Sequence, residues 1–457
     1  MQPLLRRSFL GALTAAAAGA AAKKAGPAGQ AEPARSAVAL NVRNFGAKGD
    51  GETKDTAAIQ HAIDRCAVLG GGDVVVPPGN YLTGALALRS GTFLRLEKDA
   101  AILGSPDLAD YPVTEVRWEG KWIQGHVGLI YAIDASRIGV TGPGKLAGNR
   151  AVGGRPNQRD PLRHPALIET MRCRDILLDG FAATQGLMWT IHITDSENAT
   201  IRNLNIRTTT GNGDGIDIDS SKHVRIDGCD IATGDDCIAI KSGRGSEAYK
   251  LGFATEDVAI TNCTMADSIF ACIGIGSETS GGIRNVRIEH CRFTGARTFA
   301  VYIKTRVGRG AFIEDIRASD LDVSGMAGGF LRINHTGSGI QDEFPVPGEE
   351  GIPTLRNFRF SDVRVKDCPL LVDGVSIHPA KPLEGFVLEN VTGTCAKGIA
   401  LANVRKAEIR NIRVTGVNGP LVGIHNVTGK GLTGAARIEV PKAPEPVPAP
   451  AKPYELH

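Results

Sequence analysis

Three aspartates near the middle of the chain could carry out acid–base chemistry together. Asp214 ends the segment Asn-Gly-Asp, and Asp235 and Asp236 end the segment Gly-Asp-Asp further along. If one turn of a coil separates the two segments, the acids lie on neighbouring parallel strands, about 4.8 Å apart in the stacking direction. Hydrolysis of a glycosidic bond needs two such groups, one protonated to assist the leaving oxygen and one ionised to act on water or on the sugar. The alternative is that these carboxylates only cap turns.

A repeated segment surrounds these aspartates and predicts how they are positioned. The template is apolar-x-apolar-x-(Asn, Asp or Gly)-apolar-x-apolar, and its period of two is typical of a half-buried strand. Successive copies start 21 to 42 residues apart, which indicates a solenoid whose loops vary in length. The copies begin at Ile138, Ile176, Ala199, Val224, Val258, Val286, Ile316, Phe358, Phe386 and Ala407.

The fifth position of the template predicts a sharp corner between strands. Asn, Asp and Gly tolerate a left-handed backbone there, whereas His290 is a less favoured occupant. We therefore predict an all-β fold, a single-stranded right-handed parallel β-helix of about ten coils with an N-terminal capping helix. Cys229, Cys263 and Cys291 directly follow three corners, and we interpret them as interior packing residues rather than as disulfides or a metal site.

The predicted helix caps the open end of the solenoid. Asp55 or Thr53 precedes apolar residues at helical spacing, and three glycines at 70–72 end the pattern. Strands are expected at 73–76 and 81–85. We predict a β-helix domain over residues 36–438 and an extended, unpacked, disordered Pro-rich tail over 439–457.

Residues 1–35 are interpreted as a signal peptide and linker. Arg6 and Arg7 precede a short apolar run ending near Ala22, as in twin-arginine export signals, although an uncleaved tail is the alternative. The signal predicts a periplasmic or secreted protein with no membrane attachment after cleavage. Formal net charge is +3, but residues 1–35 carry five of the 52 bases and one of the 49 acids, so the remainder is close to neutral. This balance does not support nucleic-acid binding through bulk charge.

The order of the motifs resembles the polygalacturonase-type enzymes of glycoside hydrolase family 28. After Asn-x-Asp and Gly-Asp-Asp come a Gly-Ser-Glu-x-Ser-Gly-Gly segment at 276–282 and then Ile303-Lys304. The opening segment at 44–51 is shared with the wider group of pectin-lyase-like β-helix proteins. The resemblance runs from about Asn41 to Val414.

The resemblance implies roles for the three aspartates. It makes Asp235 the general acid and makes Asp214 and Asp236 the groups that activate water, in a single displacement with inversion. That mechanism usually needs roughly 6.5 to 9.5 Å between acid and base. Mutual repulsion should raise at least one pKa and help to keep Asp235 protonated. The resemblance implies no cofactor and no metal, and we expect a monomer that acts on a polysaccharide or oligosaccharide.

Two positions depart from the family. Phe270 replaces the family's histidine, and Tyr302 replaces the arginine that precedes Lys304 by two residues. Both changes remove positive charge, or the capacity for it, from the place where the family holds a uronic acid, so we hypothesise a linkage that need not involve galacturonic acid, such as a neutral or rhamnose-containing one.

Supporting substrate contacts are expected from Lys304, Tyr302, Phe270, Asn212 and His192. Strand parity places Lys304 and Tyr302 on one surface, and register places Lys241 and Gly276 beside Lys304. Asn212 either orients Asp214 or supplies a turn, and His192 is either a cleft residue or structural.

Two other functions remain compatible with the sequence. One is a non-catalytic or degenerate glycan-binding β-helix, and the other is a pectate-lyase-like eliminase. The insertions at 242–255 and 337–354 could close one end of a groove and favour attack at chain ends.

Overall fold

Three stacks of parallel strands form the three sides of a long coil, as a computed structural model describes it for residues 38–155, 161–186, 188–449 and 454–456. Each full coil visits the three sides in the same order, here called faces A, B and C. Each strand pairs in parallel with the strand of the same face one coil away. The architecture is the predicted right-handed parallel β-helix.

Face A carries the repeated template, and its register confirms the predicted copies. Ala199 lies opposite Val224, which in turn lies opposite Val258, and the same column continues to Phe386. The face A strands are Ala39–Asn41, Gly72–Val76, Thr92–Leu96, Ser136–Thr141, Arg174–Asp179, Glu197–Arg202, Lys222–Asp227, Thr255–Thr261, and the first parts of Ile283–Phe293, Phe312–Ser324, Thr354–Ser376 and Leu383–Thr415.

Faces B and C complete each coil. Face B consists of Asp50–Lys54, Gly79–Thr83, Ala100–Gly104, Lys145–Ala147, Ala182–Thr184, Asn205–Arg207, Asp230–Ala232 and Thr264–Ala266, followed by later parts of the long strands. Face C consists of Leu86–Ala87, Ile130–Ile133, Ile168–Met171, Ile191–Thr194, Ile216–Asp219, Ile238–Lys241, Ile273–Ile275, Phe299–Lys304, Gly329–Asn334, the last part of Thr354–Ser376, the middle of Leu383–Thr415, the first part of Val422–Lys430, and Ala436–Arg437.

The corner between faces A and B has the predicted left-handed backbone. The angle φ is +55° at Asn203 and Asn262, and His290 adopts +56° despite its less favourable side chain. Side chains stack along this edge, as where Asn262 Nδ2 donates to Asp227 Oδ1 at 2.7 Å. Polar side chains thus tie consecutive coils together at the surface, while aliphatic residues of all three faces fill the interior.

The N-terminal helix spans Thr56–Val68 and buries Ile59, Ala62, Ile63 and Cys66 against the first coils. Asp55 precedes it as predicted, but its carboxylate does not cap the helix and instead accepts from the backbone N–H groups of Lys48 and Gly49 at 2.7 and 2.9 Å. The following strands start and end within two residues of the prediction.

The other elements lie outside the coils. A second helix spans Gly245–Leu251, an antiparallel hairpin pairs Val113–Trp118 with Lys121–His126, and short 3-10 helices span Val42–Phe45, Leu108–Asp110, Arg150–Val152 and Glu349–Gly351. None of the helices in the described ranges is long and apolar enough to cross a membrane. All nine cysteines are buried and free.

The C-terminal segment is extended, but its described residues contact the rest of the chain. The carbonyl of Val447 accepts from Gly348 N–H at 2.8 Å, and Tyr454 packs on Phe344 with ring centroids 5.5 Å apart. His378 Nε2 lies 3.0 Å from the Pro444 carbonyl oxygen. These contacts differ from the expectation of an unpacked tail. The predicted signal peptide lies outside the described residues.

Candidate active site

The three aspartates lie in the turns that lead into face C. Because Ile216 lies opposite Ile238, Asp214 and Asp236 occupy equivalent positions on adjacent coils, and Gly215 N–H donates to the Asp236 carbonyl at 3.0 Å. The acids therefore precede their strands, rather than lying on them as the sequence suggested. One carboxylate oxygen of each of the three residues lies within 4.8 Å of the others.

The cluster is largely enclosed. Asp214 and Asp236 are 3% and 2% exposed, whereas Asp235 is half-buried and therefore the most accessible of the three. Asp235 Oδ1 accepts from Asp236 N–H at 3.0 Å, and its Oδ2 accepts from Asn212 N–H at 3.3 Å. The closest approach of the carboxylates is shorter than the range expected for a single displacement, so this distance gives no independent support for inversion.

Asn212 acts on the cluster through its backbone. It has a left-handed φ of +58°, and its N–H is directed at Asp235. The structure shows Asn212 in a turn, and among the described residues its side chain makes no hydrogen bond to Asp214.

Lys304 contacts the cluster directly. Its Nζ lies 2.6 Å from Asp236 Oδ2 and 4.3 Å from the ring centroid of Phe270. Tyr302 lies on the same side of the strand and stacks on Phe270, with ring centroids 5.6 Å apart and an angle of 21° between the rings. The predicted parity and the register of Gly276 with Lys304 are confirmed. Lys304 is 8% exposed, and the partner of its ammonium group is the Asp236 carboxylate of the cluster.

A glycine makes room for Asp236. Gly274 lies on the next coil of face C, and a Cβ at that position would stand 2.3 Å from Asp236 Oδ2. Any side chain there would displace the carboxylate. The sequence analysis missed this residue, although a glycine between two isoleucines in a strand is itself a signal of close approach.

Burial and mutual repulsion perturb the acids. Burial raises the pKa of Asp214 well above its usual range, and Asp217, Asp235 and Asp236 raise it further, while Lys241 opposes them. Burial also raises the pKa of Asp236, and the nearby ammonium of Lys304 limits that rise. The prediction that at least one member has a raised pKa is therefore confirmed for two of them.

A layer of buried charge lies beside the cluster. His192 is fully buried and its Nδ1 lies 3.3 Å from Glu169 Oε1, while Glu169 makes a two-pronged ion pair with Arg163. A substrate contact requires exposure, so the structure places His192 in a supporting layer and not on the cleft surface. Sequence reasoning missed Glu169 and Arg163 because they become neighbours of His192 only through coil stacking.

Lys241 and Asp217 form a second buried pair in this layer. Lys241 Nζ lies 2.6 Å from Asp217 Oδ1 and 3.6 Å from Asp214 Oδ2. It also lies 3.6 Å from the ring centroid of Trp189. Sequence reasoning identified Lys241 only as a register neighbour, and Asp217 was not singled out.

The hairpin at 113–126 covers face C on the N-terminal side of the cluster. Trp118 packs on Trp189 with centroids 4.6 Å apart, and Arg117 Nε lies 3.2 Å from Asp219 Oδ2. Because Trp189 precedes a face C strand and Asp219 ends one, the hairpin spans the width of the face.

Ion pairs fix the tip of this hairpin to both insertions noted in the sequence. Lys121 Nζ lies 3.2 Å from Glu247 and 3.5 Å from Asp342, and Arg244 lies 3.2 Å from Asp342 and 3.5 Å from Glu119. The segments 242–255 and 337–354 therefore meet at one place, as a wall beside the acids.

Three clustered carboxylates could in principle hold a cation, and Asp214, Asp235 and Asp236 are close enough to do so. Two buried ammonium groups, on Lys304 and Lys241, already provide positive charge next to these oxygens. The donor set therefore fits a site for acid–base chemistry at least as well as a metal centre.

The parallel β-helix and the cluster of three carboxylates on one of its faces both agree with a glycoside hydrolase. The model of glycosyl hydrolases family 28 matches residues 72–335, and the chain belongs to that family. A second model, rhamnogalacturonase A/epimerase, pectate lyase-like, matches residues 39–95.

Individual relatives agree with this assignment. The chain is 29% identical over 401 residues to a probable polygalacturonase of Vitis vinifera, which covers 85% of this chain and 79% of that protein. The structure of a hyperthermoactive exopolygalacturonase from Thermotoga maritima matches with a TM-score of 0.75 and 25% identity, covering 84% of this chain and 94% of that one. A family 28 exopolygalacturonase from Yersinia enterocolitica shares the fold, with a TM-score of 0.70, 21% identity and coverage of 86% and 78%.

Proposed function

We propose that the protein hydrolyses pectic chains from one end, with Asp235 as general acid and with Asp214 and Asp236 activating the attacking water. The observation that carries this proposal is the convergence of the three carboxylates at a partly open surface of face C. Relatives named polygalacturonases and exopolygalacturonases support the substrate class.

The chemistry follows from how the three acids share protons. Three carboxyls so close together cannot all be ionised without strong repulsion, so the trio retains a proton and titrates as a unit. We assign the role of proton donor in the substrate complex to Asp235, as the family resemblance implies, because its half-buried side chain is the one of the three that a bound glycosidic oxygen can reach most easily. Asp235 gives it to the glycosidic oxygen as the C1–O bond breaks, and water attacks C1 while losing its proton to Asp214 or Asp236. The product then carries the inverted configuration.

Attack at a chain end is supported by the wall. The hairpin packs on Trp189, one coil N-terminal to Asp214, and ion pairs to the two insertions brace its tip, whereas Phe270 and Arg332 are partly exposed on coils C-terminal to the acids. A polymer that enters from the C-terminal side would stop after few sugar units have passed the acids. Release of short products follows from this geometry.

The chain's own residues indicate a distinct preference for the sugar beside the cleaved bond. Lys304 is engaged by Asp236, and Tyr302 stands where the family has arginine. Arg332 lies opposite Tyr302 one coil further on, with its guanidinium 5.4 Å from that ring. We therefore propose that the sugar at the cleavage point need not be charged, while a uronate can bind at Arg332.

Product analysis tests the proposal. Purified protein is incubated with polygalacturonate and with rhamnose-containing pectic oligosaccharides, and products are followed by chromatography and by proton NMR of the anomeric signals. We expect short products from early time points with inverted configuration. Random internal cleavage would refute end attack, and rates on polygalacturonate comparable to those of ordinary polygalacturonases would refute the preference for an uncharged sugar.

Glycan binding without catalysis is the second candidate, because Phe270 and Tyr302 replace two residues of the family pattern. Binding to pectic oligosaccharides with no hydrolysis across the same panel would favour it. An unsaturated product absorbing in the ultraviolet would instead favour elimination.

Export is proposed from Arg6 and Arg7. Replacement of both by lysine should retain the protein in the cytoplasm of a bacterial host with twin-arginine export, and fractionation with activity assays would reveal this. Secretion that is independent of both arginines would contradict a signal of this type.

A further inference from the structure

The pair of Lys241 and Asp217 has no part in the mechanism above, yet it contacts one of its acids. Lys241 is 5% exposed and Asp217 is fully buried. Lys241 Nζ is shared unequally, at 2.6 Å from Asp217 Oδ1 and 3.6 Å from Asp214 Oδ2. One buried ammonium group thus serves two buried carboxylates.

The position of the ammonium group is held from several sides. Trp189 presents its ring 3.6 Å from Nζ, which is a favourable site for a cation. Asp217 lies opposite His192 in the register of face C. Oδ1 of Asp214 and Oδ2 of Asp217 have no protein hydrogen-bond partner among the described residues. The two carboxylates therefore depend on Lys241 for most of their compensation.

On the basis of the proposed function, we infer that Lys241 is a positioning residue that stabilises the ionised form of Asp214, and that Asp217 sets how much of the Lys241 charge Asp214 receives. A buried carboxylate can act as a base only if a nearby cation offsets the cost of burying its charge. Asp217 competes for that cation from the shorter distance.

The surrounding charged groups are consistent with Asp214 and Asp217 sharing the charge of Lys241. Burial raises the pKa of Asp217 to about 6, against the opposing effects of Lys241 and His192. The other charged groups that face Asp214 are Asp235, Asp236 and, through Asp236, Lys304. Those that face Lys241 include Glu278 and Asp219. Within this set Lys241 is the cation closest to Asp214.

The inference predicts opposite effects of two substitutions. Lys241→Met removes the cation, which raises the pKa of Asp214 further, so the acid limb of kcat/KM should move to higher pH by about one unit or more. Asp217→Asn removes a competing negative charge, which lowers the pKa of Asp214, so the limb should move to lower pH. A purely structural role would lower stability and activity in both variants without moving the limb in opposite directions.

The experiment measures pH–rate profiles on the pectic substrate, together with a substrate-free titration of the aspartate carboxyls by carbon-13 NMR. Lys222→Met is the matched control, because Lys222 pairs with Glu256 on face A and is half exposed. It should leave both measurements unchanged. Limbs that stay in place or move the same way would overturn the inference.

Two readouts separate this inference from the proposed function. If wild-type protein hydrolyses no substrate, the proposed function fails, and the NMR titration still reports whether Lys241 and Asp217 shift the cluster in opposite directions. If Lys241→Met does not fold, Asp217→Asn decides, and a limb unmoved or moved upward refutes the inference.

Discussion

The chain uses aspartate at two kinds of corner, and the two corners treat it differently. At the corner between faces A and B, Asp362 has a left-handed φ of +56°, and its carboxylate accepts from Asn390 Nδ2 at 2.9 Å at the surface. In the turns entering face C, Asp214 is buried with one oxygen unpartnered, and Asp236 is buried against Lys304. The two corners therefore differ in burial and in pairing, and these are the properties by which the proposed function separates a catalytic carboxylate from a structural one.

The largest expected effect is the difference in kcat between substitutions of an aspartate at the two corners. Asp235→Asn should lower kcat by about 10³-fold, because it removes the proton donor while keeping the shape of the side chain. Oligosaccharide binding should persist. Asp362→Asn is the matched control, since asparagine tolerates the same φ and still accepts a hydrogen bond. Steady-state kinetics on both variants measure this difference. Equal losses of kcat would contradict the distinction between the aspartates of the two corners.

The next effect compares a buried ion pair with an exposed one. Lys304→Met leaves Asp236 buried without its partner and should cost about 3 kcal/mol of unfolding free energy, with a loss of activity. Arg284→Met breaks the surface pair with Glu256 and should cost less than about 1 kcal/mol. Urea denaturation measures both. Similar costs would mean that the cluster is more hydrated than its burial indicates.

A smaller effect tests the structural corner by itself. Asn262→Ala places a Cβ-bearing residue without a local polar group at φ +55° and removes the hydrogen bond to Asp227, so we expect a loss of about 1 to 2 kcal/mol with unchanged kcat. Asn262→Gly removes only the hydrogen bond and should cost less. If alanine and glycine are equally tolerated, backbone strain is not what selects asparagine here.

The smallest expected effect is the stability that the folded protein loses because Asp214 is buried. The folded pKa of Asp214 is raised, so folding binds protons there, and stability falls as pH rises above the unfolded value near 3.8. Asp214→Asn should therefore raise Tm slightly near neutral pH, and the gain should vanish on acidification below that value.

Asp50 provides the control of opposite sign. Hydrogen bonds from the backbone N–H groups of Thr53 and Glu52 lower its pKa to about 2, so its contribution is present above about pH 4 and is lost as pH falls towards 2. Asp50→Asn should lower Tm near neutral pH. Thermal melts across pH 2 to 7 measure both variants, and a fall in Tm for Asp214→Asn at neutral pH would contradict the raised pKa.

Much of the fold could be predicted because the repeat is local. Alternating apolar residues from Ala199 to Phe386 fixed the register of face A, and corner residues such as Asn203 and Asn262 were identified from their tolerance of a left-handed backbone. The three acids were also located, because one coil of separation brings Asp214 beside Asp236 in any β-helix of this period.

The remaining site residues could not be found in the same way. His192 resembled a cleft residue, but Trp189 packs on it, and Trp118 of the hairpin packs on Trp189 in a contact between segments far apart in the chain. Gly274 matters only because Asp236 turns towards it from the neighbouring coil.

The sequence by itself determined the coil, its corners and the order in which three aspartates come together, because each depends on residues within one or two repeats. Only the tertiary structure decided which acids are buried, which ammonium group each one faces, and that the hairpin at 113–126 meets both insertions beside them. Burial and electrostatic pairing depend on distances between coils and loops, and a linear pattern does not contain those distances.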